Sequence, residues 1–153
     1  VPLKLTASNK TENFAVTRTD KELVYDQIIT DMEEAVKDLP WYNEVSSYEG
    51  RPSKGAAMGL LARAYLYRAG YSLHQNGKME RPEKYLDYYK KAKEVCAELI
   101  NSHRHKLNNS YEKVFKNVCE GIMDPSEVMY EVQFFNPSGE SDHSSKIGSY
   151  NSP

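Results

Sequence analysis

The chain has 153 residues, 39% of them hydrophobic and 27% charged, with a formal net charge of −2. That length supports one domain with a modest core, and the near balance of charge provides no basic footprint for nucleic acid. No apolar run approaches the ~18 residues that a membrane-crossing helix needs, and Cys96 and Cys119 are too far apart for a metal pair and too few for a disulfide framework.

Residues 1–18 show no sustained period and read as an irregular lead-in. The start carries neither a secretion signal nor Met, so the chain is expected to be an internal or processed part of something longer. A helical period then begins. Thr19 and Glu22 fit a capping box, in which a hydroxyl and a carboxylate satisfy the free amides of a helix start. "KELVYDQIITDMEEAVKDLP" places Val24, Ile28, Met32, Ala35 and Leu39 on one stripe, widened by Tyr25, Ile29 and Val36. Pro40 should stop this helix at the residue before it.

After the loop at 41–51, "GRPSKGAAMGLLARAYLYRAGYS" starts a second helix behind Pro52, with Ser53 as its cap. Gly55 and Gly59 lie one helical turn apart, and Ala56, Ala62 and Ala69 sit close to the same side. A face without side chains lets another backbone approach. Arg63 and Arg68 interrupt any membrane-length run, so Gly55, Gly59 and Ala62 are expected to press against the first helix, as the inner half of a hairpin. Tyr65, Tyr67 and Tyr71 cannot all face one way, so at least one should be exposed. The stretch "SLHQNGKMERPEKY" reads as a solvated connection.

A third helix is expected from Pro82, a residue suited to a first turn, with Tyr85, Tyr89, Ala92, Cys96 and Leu99 inward and Cys96 acting as a small buried hydrophobe. His103 and His105, on either side of Arg104, would place favourable charge at its C-terminus; pointing to different sides, they make no metal pair. A shorter helix spans 110–118, with Tyr111, Val114, Phe115 and Val118 on one side and Gly121 at its end. The period then switches to two. "EVMYEVQFF", residues 127–135, reads as a strand that must find a partner, either in residues 1–8 or in chain outside this sequence. Residues 136–153 are polar and serine-rich and read as a loop or ragged end.

Pairing the first helix with the second, and the third with the fourth, makes two hairpins. Sliding Tyr25 onto Tyr89 lays Ile28 on Ala92, Met32 on Cys96 and Ala35 on Leu99, a weak internal repeat. The logic is that of tetratricopeptide repeats, with a period well beyond their usual ~34 residues. The expected architecture is therefore mainly α: tetratricopeptide-like hairpins of about four helices, one short β-strand and irregular ends. It divides into a lead-in at 1–18, the hairpins at 19–120, and a strand with polar loop at 121–153 belonging to a larger domain. The acidic residues of the first helix form a solvated face. There is no G-x-S-x-G, H-E-x-x-H or phosphate-binding glycine loop, so neither catalysis, nor a metal, nor a cofactor is expected.

Four stretches occur in a telling order: "YDQIITDMEEAVKDLP", "GRPSKGAAMGLLARAYLYRAGY", "YYKKAKEVCAELI" and "SEVMYEVQFF". In order and style they resemble the SusD/RagB family, outer-membrane glycan-binding lipoproteins of Bacteroidetes. The "GRPSKGAA" opening of a helix that continues into "LLARAYLY" is the most specific element. The resemblance covers roughly residues 19–136 and only the middle part of such proteins. It implies a tetratricopeptide-like scaffold that is not an enzyme. Such a protein is exposed at the cell surface and held to the outer membrane by a lipid anchor absent from this segment. It binds oligosaccharide and delivers it to a SusC-type TonB-dependent transporter, with the helical repeat typically facing the transporter.

Sugar binding needs flat apolar rings to stack on pyranoses and polar groups to reach hydroxyls. Trp41, Tyr42, Asn43 and Tyr48 in the first loop have that chemistry, and Tyr150 near the end is a second candidate. The plainer role for Trp41, directly after Pro40, is to pack over the helix end. The rival function is a protein-interaction scaffold with no glycan ligand.

Overall fold

In the computed structural model the described residues are 1–7, 15–44, 51–120 and 122–131. Among them the protein is mainly helical, as expected, with α1 (Lys21–Asp38), α2 (Lys54–Ala69), α3 (Tyr85–Asn101) and α4 (Tyr111–Cys119). A 3-10 turn at Tyr42–Glu44 follows α1, and one antiparallel pair, β1 (Ser72–Leu73) and β2 (Met79–Glu80), lies between α2 and α3.

The helix ends follow from local chemistry. Asp20, not Thr19, caps α1, its carboxylate accepting from the Glu22 amide at 2.7 Å. Thr19 is otherwise engaged. Its hydroxyl accepts from the Leu3 amide at 2.9 Å, and its amide donates to the Val1 carbonyl at 3.2 Å, which ties the lead-in to α1. Leu39 is extended (ψ 137°), as a residue before proline must be, and α1 stops there. Ser53 caps α2 by accepting from the Ala56 amide at 3.3 Å. Pro82 does not open α3. Its carbonyl accepts from the Tyr85 amide at 3.1 Å in a turn that precedes the helix.

α2 lies in the middle, packed against α1 on one side and α3 on the other. Ile29, Leu61, Tyr65 and Ala92 form the buried centre, with Met32, Val36, Ala64, Tyr88 and Val95 around it. The inward stripes are rotated from those expected. Ile29 replaces Ile28, which is 39% exposed, and on α3 Tyr88, Ala92 and Val95 turn inward. Tyr89 and Cys96 consequently face solvent, so Cys96 is not the buried hydrophobe expected of it. Steps of three and four fit either stripe, and contact with α2 selects one. Because α2 has neighbours on two sides, Ala56, Ala57, Met58, Leu61, Ala62, Tyr65 and Ala69 are all buried. The three tyrosines divide as expected: Tyr65 is 2% exposed, Tyr67 58% and Tyr71 63%.

Three other features differ from expectation. α3 packs on α2 rather than along α4, so no second hairpin contributes to the core. Residues 127–131 run as turn and coil, and 132–135 lie outside the described residues. Extended structure is found instead in the stretch read as a solvated connection. There Gly77 takes φ 77°, the His74 amide donates to the Lys78 carbonyl at 2.9 Å, and Ser72 pairs with Glu80. Asn76-Gly77 is the hairpin signal that explains it, since both residue types tolerate the turn. Lys21 anchors this hairpin to α1 by donating to the Leu73 carbonyl at 3.1 Å and to the Ser72 hydroxyl.

The small face of α2 does permit close approach, but not of α1. A methyl group added at Gly55 would fall against the His105 ring, 2.9 Å from Cδ2, and one added at Gly59 would lie 3.1 Å from Met129 Cε. Gly55 and Gly59 thus receive side chains from beyond α3 and α4. Ala62, 6% exposed, is buried on the same helix.

Candidate functional site

Residues 41–44 close into a turn because Pro40 prevents α1 from continuing. The Glu44 amide donates to the Trp41 carbonyl at 3.0 Å, and the Trp41 amide to the Glu44 carboxylate at 3.2 Å. The turn leans on the chain leaving α3. Tyr42 donates its hydroxyl to the Arg104 carbonyl at 3.0 Å. The Arg104 guanidinium donates to Asn43 Oδ1 at 2.7 Å and pairs with Glu44 at 3.3 Å. That guanidinium also lies 5.6 Å from the Trp41 ring, and Lys54 Nζ lies 5.8 Å from it, within cation–π range. The His105 ring packs at 5.1 Å from Tyr42 and 6.3 Å from Trp41, with its back to Gly55.

Backbone geometry at the end of α3 delivers these partners. Ser102 donates its hydroxyl to the Leu99 carbonyl at 2.7 Å, and His103 adopts φ 53°, the left-handed conformation that turns a chain away from a helix. Arg104 and His105 then point back at the 41–44 turn. His105 is therefore a packing residue, not a charge at the helix end as expected. Trp41, Tyr42 and Asn43 are brought together in one place. Trp41 and Tyr42 are half-buried and Asn43 is exposed. Tyr48 and Tyr150 lie outside the described residues.

A second feature, missed in the sequence, begins at the next residue. The Lys106 amide donates to the Ser126 carbonyl at 2.8 Å, joining the segments before and after α4. Asn108 ties the same segments through its side chain, donating to Asp124 Oδ2 at 2.9 Å and to Glu127, while its backbone amide donates to Glu127 at 2.7 Å. Asp124 also accepts from the Ser126 hydroxyl at 2.5 Å and from the Ser126 amide at 3.2 Å. The Ser126 and Asn108 bonds hold the Asp124 carboxyl below its ordinary range. Between these segments and α4 is a cleft of about 580 Å³, whose wall includes Lys106, Asn108, Lys113 and Asn117. The sequence signal was two polar runs, Asn108-Asn109-Ser110 and Asp124-Pro125-Ser126-Glu127, on either side of a nine-residue helix.

Elsewhere polar groups stabilise the bundle. Tyr65 donates its hydroxyl to Glu33, which also pairs with Lys91 at 3.3 Å. Burial, then the Glu33 bond, pushes the Tyr65 hydroxyl well above its ordinary range, and the same bond lowers the Glu33 carboxyl. Arg68, 7% exposed, pairs with Glu22 and with Asp26 at 3.2 Å. A shallow apolar depression of about 340 Å³ lies on the outer side of α1 and α2, lined by Tyr25, Ile28, Met32, Leu60 and Tyr67. Among the described residues no group of three or more His, Cys, Asp or Glu could hold a metal ion. No described helix is long and apolar enough to cross a membrane.

Residues 1–66, which comprise the lead-in, α1, the 41–44 turn and most of α2, match a SusD-like family model described as starch-binding associating with outer membrane. No curated protein and no solved structure matches the chain. The matched stretch contains both the "YDQIITDMEEAVKDLP" helix and the "GRPSKGAA" opening of α2.

Proposed function

We propose that this chain is part of a non-catalytic surface protein that captures oligosaccharide at the outer membrane and passes it to a SusC-type TonB-dependent transporter. The observation that carries this reading is the match of residues 1–66 to a family described as starch-binding and outer-membrane-associated. In this reading the protein reaches the membrane through a lipid anchor outside the segment, and the apolar depression between α1 and α2 meets the transporter. The accessible part of the Trp41 indole offers a stacking surface for a sugar ring. Tyr42 and Asn43 direct polar groups to Arg104 and hold the turn in place.

Affinity electrophoresis of the protein through gels containing soluble starch and a panel of other polysaccharides tests the proposal. Migration should be retarded by at least one polysaccharide, and Trp41→Ala should reduce the retardation. Migration unaffected by every polysaccharide would reject glycan capture and favour the interaction scaffold. Unchanged retardation of Trp41→Ala would remove the 41–44 turn from the ligand surface.

A further inference from the structure

We infer that His105 is a proton-operated latch: neutral, it holds the 41–44 turn against the start of α2, and protonated, it releases that turn. The carrying observation is that Nδ1 and Nε2 of His105 are both buried and, among the described residues, neither has a hydrogen-bond partner. Buried polar atoms are nearly always paired, so two orphans on one ring call for a reason. A neutral imidazole leaves one donor and one acceptor unmet there. A second proton makes both nitrogens donors and sets a full charge where neither water nor an acceptor reaches.

The surroundings oppose that charge. Nε2 abuts Gly55 so closely that a methyl group there would overlap it. Gly55 lies in the first turn of α2, so the positive end of the helix dipole is at that nitrogen. Charged groups on the elements packed against the ring are mainly cations: Lys54 at the head of α2, and Arg104 and Lys106 on either side in the chain. Glu44, the carboxylate of the turn, already pairs with Arg104 at 3.3 Å, and the Tyr42 hydroxyl is directed to the Arg104 carbonyl at 3.0 Å. The Trp41 face, which could hold a cation, has Arg104 at 5.6 Å and Lys54 at 5.8 Å. The polar contacts of Tyr42, Asn43 and Glu44 with the chain leaving α3 all run through the residue next to His105, so displacing the ring loosens the turn. Imidazole side chains take up their proton between about pH 8 and pH 5, so the latch opens in mildly acidic surroundings. Its bearing on sugar stacking at Trp41 rests on the glycan-capture reading above; the latch itself does not.

Trp41 is the only tryptophan among the 153 residues, so its fluorescence reports on the turn directly. Lowering the pH from about 8 to about 5, with no polysaccharide present, should shift its emission to longer wavelength while far-UV circular dichroism stays constant. His105→Gln, which takes up no proton, should abolish the shift. His103→Asn should keep it, since His103 is exposed and asparagine tolerates its left-handed backbone. An emission maximum independent of pH in the parent, a shift retained in His105→Gln, or a shift lost in His103→Asn would overturn the latch. Quenching without a shift would also overturn it, since the imidazolium would then be accommodated in place. So would a helix signal that falls together with the emission, because the helices and not the turn would then be responding. Should His105→Gln fail to fold, an NMR titration of the parent decides. The Trp41 indole N–H and the His105 ring should follow one midpoint, and separate midpoints would overturn the inference. None of these outcomes involves a sugar, so glycan capture stands or falls by the electrophoresis alone.

Discussion

The three-helix layer α1–α2–α3 and the region around α4 solve the same problem by different means. In the layer, apolar stripes face each other across α2, and Ile29, Leu61, Tyr65 and Ala92 are at most 7% exposed. α4 has the more sharply divided sequence, yet its apolar side is outward. Tyr111 is 80% exposed, Phe115 56% and Val118 60%, while Asn117 is the buried residue. What holds this region is polar: Asn108, Asp124, Ser126 and Glu127 join its two ends. Amphipathicity specifies that a helix has two faces. Only a packed neighbour decides which one is covered. A helix of nine residues has little stability of its own and takes the orientation its flanking segments impose.

That contrast can be tested, and the largest expected effect is in the layer. Tyr65→Ala should cost about 3–5 kcal/mol in urea unfolding, as for other large aromatic truncations in a packed centre. Tyr65→Phe should cost much less, since it keeps the ring and loses only the bond to Glu33. A small loss for Tyr65→Ala would mean that the layer is not the principal core.

The two glycines of α2 come next, because they mark where the regions meet. Gly55→Ala should destabilise by about 1–3 kcal/mol, since the new methyl group meets the buried His105 ring. Gly59→Ala should be neutral or stabilising by up to about 1 kcal/mol. Its methyl group meets only the flexible end of Met129, and alanine is the better helix former. A Gly55→Ala variant as stable as Gly59→Ala would show that the His105 approach does not matter.

The most local effect belongs to the polar region. Asn108→Ala should raise amide hydrogen exchange across 106–127 while leaving α1–α3 protected, a local loosening of about 1–2 kcal/mol. Acid should act on the same contacts. The folded state holds Asp124 below its ordinary value of 3.8, so its stabilisation is complete above that pH and is lost as the pH falls through the lower folded value. Glu33 behaves likewise below 4.5 in the layer, and Asn108→Ala should therefore flatten only part of the acid dependence of the melting temperature. In alkali the sign reverses. Tyr65 is held above its ordinary value of 10, so its contribution is present below that pH and declines above it.

Much of the layer was legible from residues alone. Spacing located α1, α2 and α3, Pro40 and Ser53 set ends correctly, and the glycines announced a close approach. The partner of that approach was not legible, because a bare helix face carries no label for what will cover it. Nor was the hairpin at 72–80, where Asn76-Gly77 was present but the flanking strands are only two residues each. Of the candidate site, Trp41, Tyr42 and Asn43 were legible as a chemical type, while Arg104 and His105 as their partners were not.

The sequence by itself therefore determined which segments are helical, where most of them end, and the motifs that resemble the SusD/RagB family. These depend on interactions within a few residues of chain: periodicity, capping and the geometry of proline. Tertiary structure alone decided which stripe of each helix is covered, that His105 and Met129 occupy the glycine face, and that Asn117 rather than the apolar side of α4 is buried. Those outcomes depend on residues brought together from distant positions, and the free energy of such contacts exists only once the chain has closed on itself.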